Sequence, residues 1–112
     1  MPAPDLLSWM RGNREILGGM TAAELRAAGA RPVGLRDEVI AMWQDARGDW
    51  HGAHATVQDL ETPAAAWVHA YLHRREGDES NARYWYARAD RPPQKTSLDD
   101  EWTAIVIALL EA

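Results

Sequence analysis

VHAYLHRREGDESNARYWYARA, residues 68–89, can be laid over VIAMWQDARGDWHGAHATVQDL, residues 39–60, at an offset of 29. Val39 then meets Val68, Ala41 meets Ala70, Gly48 meets Gly77, Asp49 meets Asp78 and Ala53 meets Ala82. Large apolar groups also coincide, Met42 with Tyr71, Trp43 with Leu72 and Val57 with Tyr86. The shared Gly-Asp gives this correspondence its structural meaning. Glycine is the usual left-handed residue just past a helix end, and aspartate is a strong N-cap for the next helix. A helix, a tight reversal and a second helix are therefore expected twice, with the alanine after each Asp letting the two helices approach closely.

Outward from these hairpins the chain stays helical. Asp5 can cap a first helix running to about Leu17, where Gly18-Gly19 stops it. Thr21 and Glu24 form a capping box for a short helix over 22–28, with Gly29 as its stop. Pro32 and the glycines of GARPVG, residues 29–34, make a loop, and a helix resumes near Leu35. Beyond the Pro-rich DRPPQKT, residues 90–96, Ser97 caps a last helix with Asp99, Asp100 and Glu101 in its first turn, where the helix dipole favours acids. Trp102, Ile105, Val106, Leu109 and Leu110 form one apolar stripe on that helix. The stripe is expected to cover one end of the hairpin stack or to complete a homodimer. The fold expected is all-α and a single domain over 1–112, with an N-terminal cap at 1–34, hairpins at 35–61 and 62–91, and a C-terminal helix at 97–112.

The pattern Gly77-Asp78-x3-Ala82-x3-Tyr86-x2-Ala89-x2-Pro92 resembles the second helix of tetratricopeptide and Sel1-like repeats. That resemblance implies TPR-like stacked antiparallel hairpins, whose groove takes a peptide or protein. The string His73-Arg74-x-Glu76-Gly77-Asp78-x2-Asn81-Ala82-x-Tyr84-Trp85-Tyr86 also resembles a family of small proteins, a resemblance that implies no activity.

Composition excludes several functions. The net charge is −5, which argues against a nucleic-acid or anionic-membrane partner because both need a basic footprint. The absence of cysteine removes disulfides, thiolate metal sites and Cys nucleophiles. The longest apolar stretch, TAIVIALL, is too short to span a bilayer, so a cytoplasmic protein is expected. Six tryptophans and no phenylalanine imply buried indoles whose N–H groups must find acceptors.

The four histidines fall in the hairpins, His51 and His54 three apart, His69 and His73 four apart. Those spacings set each pair on one helical face, as a divalent metal held between helices would require. Gln58, Glu61 and Glu76 lie near in sequence, and HExxH is absent. Ser8, Ser80 and Ser97 all sit near helix ends as caps or turn residues, so no catalytic residue and no cofactor is expected. Arg74 with Asp78, Arg75 with Glu79 and Glu79 with Arg83 have the spacing of surface ion pairs on a continuous helix, and the turn at Gly77 limits the first two. Asn81, in the first turn of its helix, is expected to face the preceding hairpin, where it could meet His54, His69 or His73. His54, Gln58, His69, His73, Asn81 and Trp85 are thus the candidate ligand-binding set, against the plainer reading of a buried polar network that fixes helix register. The function expected is a non-enzymatic interaction module that binds a protein or peptide partner or self-associates as a homodimer. The alternative is a small-ligand or divalent-metal-binding protein, extending to catalysis, that uses the His/Asn/Trp cluster.

Overall fold

The computed structural model describes residues 20–111, so the helix expected from Asp5 lies outside the described residues. Those residues form six helices and no strand: α1 Ala22–Ala27, α2 Asp37–Ala46, α3 Trp50–Val57, α4 Pro63–Arg75, α5 Glu79–Arg88 and α6 Leu98–Glu111. The all-α expectation holds for them.

α1 begins with the expected reciprocal capping box between Thr21 and Glu24. It ends at Ala28 in extended backbone rather than through a left-handed Gly29. The reason is tertiary: the Ala28 carbonyl accepts from Trp43 Nε1 at 2.9 Å and from Arg47 at 3.2 Å, which fixes the chain there. α2 starts at Asp37, two residues after Leu35, with Asp37 and Glu38 in its first turn.

The two Gly-Asp turns share one geometry. Gly48 and Gly77 have φ of 82° and 87°. Asp49 N donates to Gln44 O and Gly48 N to Asp45 O, both at 2.9 Å; Asp78 N donates to His73 O at 2.9 Å and Gly77 N to Arg74 O at 3.1 Å. Both are Schellman motifs. The Asp49 and Asp78 side chains then accept from Gly52 N and Asn81 N to start the next helices. A third reversal of the same kind ends α5, where Arg91 N donates to Tyr86 O and Asp90 takes the left-handed position at φ 57° without being glycine.

α2 packs on α3, and α4 on α5, as two hairpins, and α4 also touches α2, α3 and α6. Its residues Ala65 to His73 are all buried. A helix enclosed on every side carries no polar face over that run, in keeping with AAWVHAYLH. The stripe of α6 packs within the chain, on α2 and α4, with Trp102 donating to Met42 O at 2.9 Å. Trp43, Trp50, Trp67 and Trp102 all donate their indole N–H to an acceptor, as burial demands.

Arg74 and Arg75 do not form the four-apart pairs with Asp78 and Glu79, as the turn at Gly77 implies. The turn at Gly77 carries Asp78 and Glu79 away, and the two guanidiniums reach other helices. Arg74 donates to Glu101 at 2.8 Å and to the Thr96 carbonyl, while Arg75 Nε lies 3.2 Å from Asp45. Both carboxylates are buried, and each also accepts from a tyrosine, Tyr86 on Glu101 at 2.6 Å and Tyr71 on Asp45 at 2.8 Å. Trp67 adds a third donor to Glu101 at 3.2 Å. Burial and the adjoining carboxylates push both phenols above the ordinary tyrosine range. Three consecutive residues at the end of α4 therefore point to three places: His73 to the histidine cluster, Arg74 to α6 and Arg75 to α2.

Candidate metal centre

α3 and α4 bring three imidazoles together. His54 lies on α3 one turn after Trp50, and the two rings stack with centroids 5.0 Å apart and planes 12° apart. Trp50 is itself held by its indole N–H on the Leu72 carbonyl at 2.7 Å. His69 and His73 lie one turn apart on α4 with centroids 4.9 Å apart, and Trp85 of α5 stacks on His69 at 3.8 Å and 14°. The aromatic walls fix both ring planes.

His54 Nε2 and His69 Nε2 are 2.9 Å apart, so one ring donates and the other accepts. One nitrogen from each of His54, His69 and His73 lies within 4.8 Å of the other two. His73 Nδ1 is 2.9 Å from Glu76 Oε1, a contact that holds the Nδ1–H tautomer and leaves Nε2 with its lone pair. Burial, then the neighbouring His54 and His73, lowers His69 to a pKa of about 4. Burial, then His73, also lowers His54. These two rings are therefore neutral near pH 7, the form that ligates a metal.

The geometry suits a borderline ion such as Zn²⁺, Co²⁺ or Ni²⁺, which imidazole favours over Mg²⁺ or Ca²⁺. Tetrahedral ligation at 2.0–2.1 Å separates ligand nitrogens by about 3.3 Å. The His54 and His69 nitrogens would open slightly to reach that value, with the His73 nitrogen, within 4.8 Å of both, as the third ligand. An ion there would take the place of the hydrogen shared by the two Nε2 atoms, with the displaced proton moving to Nδ1.

Of the residues expected to bind a ligand, the structure brings together His54, His69, His73 and Trp85. Gln58 is the exposed C-cap of α3; its backbone N–H donates to the His54 carbonyl at 2.9 Å, and among the described residues its side chain makes no hydrogen bond to a histidine ring. Asn81 is exposed, and its amide turns back to Asp78 Oδ2 at 3.4 Å instead of crossing to the first hairpin. His73, which sequence alone allows to be solvated, is 7% exposed, whereas His51 is exposed beside Trp50. Sequence reasoning missed Trp50 as a member of the site. Its signal was the four-residue step from Trp50 to His54, which stacks two rings on one helical face. No protein-family model, no curated protein and no solved structure matches this chain.

Proposed function

We propose that this protein binds a divalent transition-metal ion through His54, His69 and His73, with Glu76 orienting His73. The observation that supports this reading is the meeting of three imidazole nitrogens from two hairpins within 4.8 Å, two of them on rings held neutral by burial. Structural zinc sites usually have four protein ligands, while three with an open position is the pattern of sites that hold a water or a substrate. Titration of chelator-treated protein with Co²⁺ tests the reading. Saturation at one ion per chain, with visible absorption bands and no response to Mg²⁺, is the result expected. Loss of those bands in His54→Gln and in His69→Gln would assign the ligands. Binding unchanged in the triple variant His54→Gln, His69→Gln, His73→Gln would overturn it.

A second reading, a TPR-like interaction module, is favoured by one observation. Positions 29 apart share the same Schellman turn and the same buried side, as with Val39 and Val68, Ala53 and Ala82, and Val57 and Tyr86. On this reading the paired hairpins present a groove to a peptide, a protein or a second copy of the chain. Light scattering coupled to size exclusion tests the self-association arm: a dimer supports it, and a monomer at all concentrations removes it.

A further inference from the structure

A pocket of about 250 Å³ lies where the start of α4, the end of α5 and the last turns of α6 meet. Trp67, Ala64, Ala89 and Leu109 give it an apolar wall, and Arg36 and Arg91 stand at it. No acid lines it. Trp67 is buried and pinned by its N–H on Glu101, so the indole is a fixed surface. The Arg91 guanidinium lies over that ring, with Cζ 3.5 Å from the centroid. Stacking of this kind leaves the in-plane N–H fork open to a ligand.

The two arginines differ in what they have left to give. Arg36 spends Nε and Nη2 on Glu38, at 3.2 and 3.0 Å, and Glu38 neutralises it. Arg91 makes no ion pair and no side-chain hydrogen bond among the described residues. The backbone fixes Arg91 from both sides. Asp90 before it occupies the left-handed region at φ 57°, a conformation that a side chain other than glycine adopts at some cost, and Pro92 after it disfavours helical backbone at Arg91. The reversal this creates, closed by Arg91 N on Tyr86 O at 3.0 Å, returns the side chain over Trp67.

We infer that this pocket binds a small monocarboxylic acid with a flat apolar body, its carboxylate on the Arg91 fork and its body against the apolar wall beside Trp67. One uncompensated guanidinium matches a monoanion, and its planar fork matches a carboxylate bidentately. A phosphate dianion would retain an unneutralised charge against an apolar wall. The volume falls below the range of about 300–1,000 Å³ typical of drug-sized ligand pockets, which sets the ligand at the scale of a single ring or short chain. This site is separate from the histidine cluster and does not depend on a metal.

Benzoate, its neutral counterpart benzamide and inorganic phosphate are the probes, followed by protein-observed NMR titration of the full chain. Benzoate should saturate with shifts at Trp67 and the Ala64 and Leu109 methyls, while benzamide and phosphate should give none at these positions. Arg91→Gln should weaken benzoate at least about tenfold with an unchanged melting temperature, and Arg91→Lys should weaken it less, as a point charge without the fork. Ala64→Leu, which fills the pocket and leaves Arg91 in place, should weaken benzoate as well, and this variant serves if Arg91→Gln does not fold. His69→Gln should bind benzoate as the parent does. Absence of saturable benzoate shifts, equal binding of benzamide, or Arg91→Gln binding like the parent would each overturn the inference.

Discussion

His54 Nε2 and His69 Nε2 face each other at 2.9 Å across the contact between the two helical hairpins. With His73 alongside, an ion bound there ties α3 to α4. Binding of this kind stabilises the folded state by mass action, about 2.7 kcal/mol at a free ion concentration one hundred times the dissociation constant. Thermal unfolding with Zn²⁺ should show a higher midpoint that chelator reverses, and His54→Gln should remove most of the rise.

The metal-free protein should lose stability in mild acid. His69 is held neutral in the folded state with its pKa at about 4, against 6.5 for an unperturbed histidine, and His54 shifts in the same direction. As pH falls below 6.5 the unfolded chain takes up protons that the folded state refuses. Stability is therefore complete above about 6.5 and declines until pH reaches about 4. A shift of this size corresponds to roughly 3 kcal/mol for His69. Urea unfolding of chelator-treated protein between pH 7.5 and 4.5 measures the slope, and His69→Gln should flatten it.

Glu101 is 1% exposed and accepts from Tyr86, Trp67 and Arg74 together. Removing one phenol donor and removing the shared anion should differ. Tyr86→Phe costs one hydrogen bond to a charged group, about 1.5–3 kcal/mol. Glu101→Ala strands a largely buried guanidinium and should cost about 3–5 kcal/mol. Equal effects in denaturant unfolding would mean that the carboxylate does not anchor the network.

The turn residues should respond in opposite directions. Gly77 has φ 87° and no neighbour that would touch an added methyl, so Gly77→Ala should cost only the backbone term, about 1–2 kcal/mol. Asp90→Gly removes a left-handed side-chain penalty at φ 57° and should be neutral to stabilising by about 1 kcal/mol. Calorimetric midpoints decide both.

What the sequence revealed depended on how local the cause was. The turns at Gly48 and Gly77 were legible because a Schellman motif and its capping Asp lie within a few residues. The left-handed reversal after α5 was not, since Asp90 carries no glycine to announce it, although the Pro-rich segment 90–96 marked where the helix ends. The position of Asn81 in its helix allows it to reach across to the histidines, but its neighbour Asp78 captures the amide first, and local side-chain bonds of this type compete well. Glu101 and Asp45 look like ordinary surface acids in the sequence. Their partners stand 15 to 34 residues away, at separations that no periodicity records. The histidines fell between these cases, because the pairings on each helix are visible in spacing while the contact of His54 with His69 depends on how α3 meets α4.

His73, Arg74 and Arg75 leave the end of α4 toward three different neighbours, the histidine cluster, Glu101 and Asp45. The helix thereby behaves as a keyed shaft. One residue inserted or deleted between Thr62 and His73 would turn these three side chains by about 100° at once and shift them by 1.5 Å along the axis. Single substitutions disable one tooth, whereas a length change disengages all three, so natural variation in chain length belongs in the segment 92–96 and not in this helix.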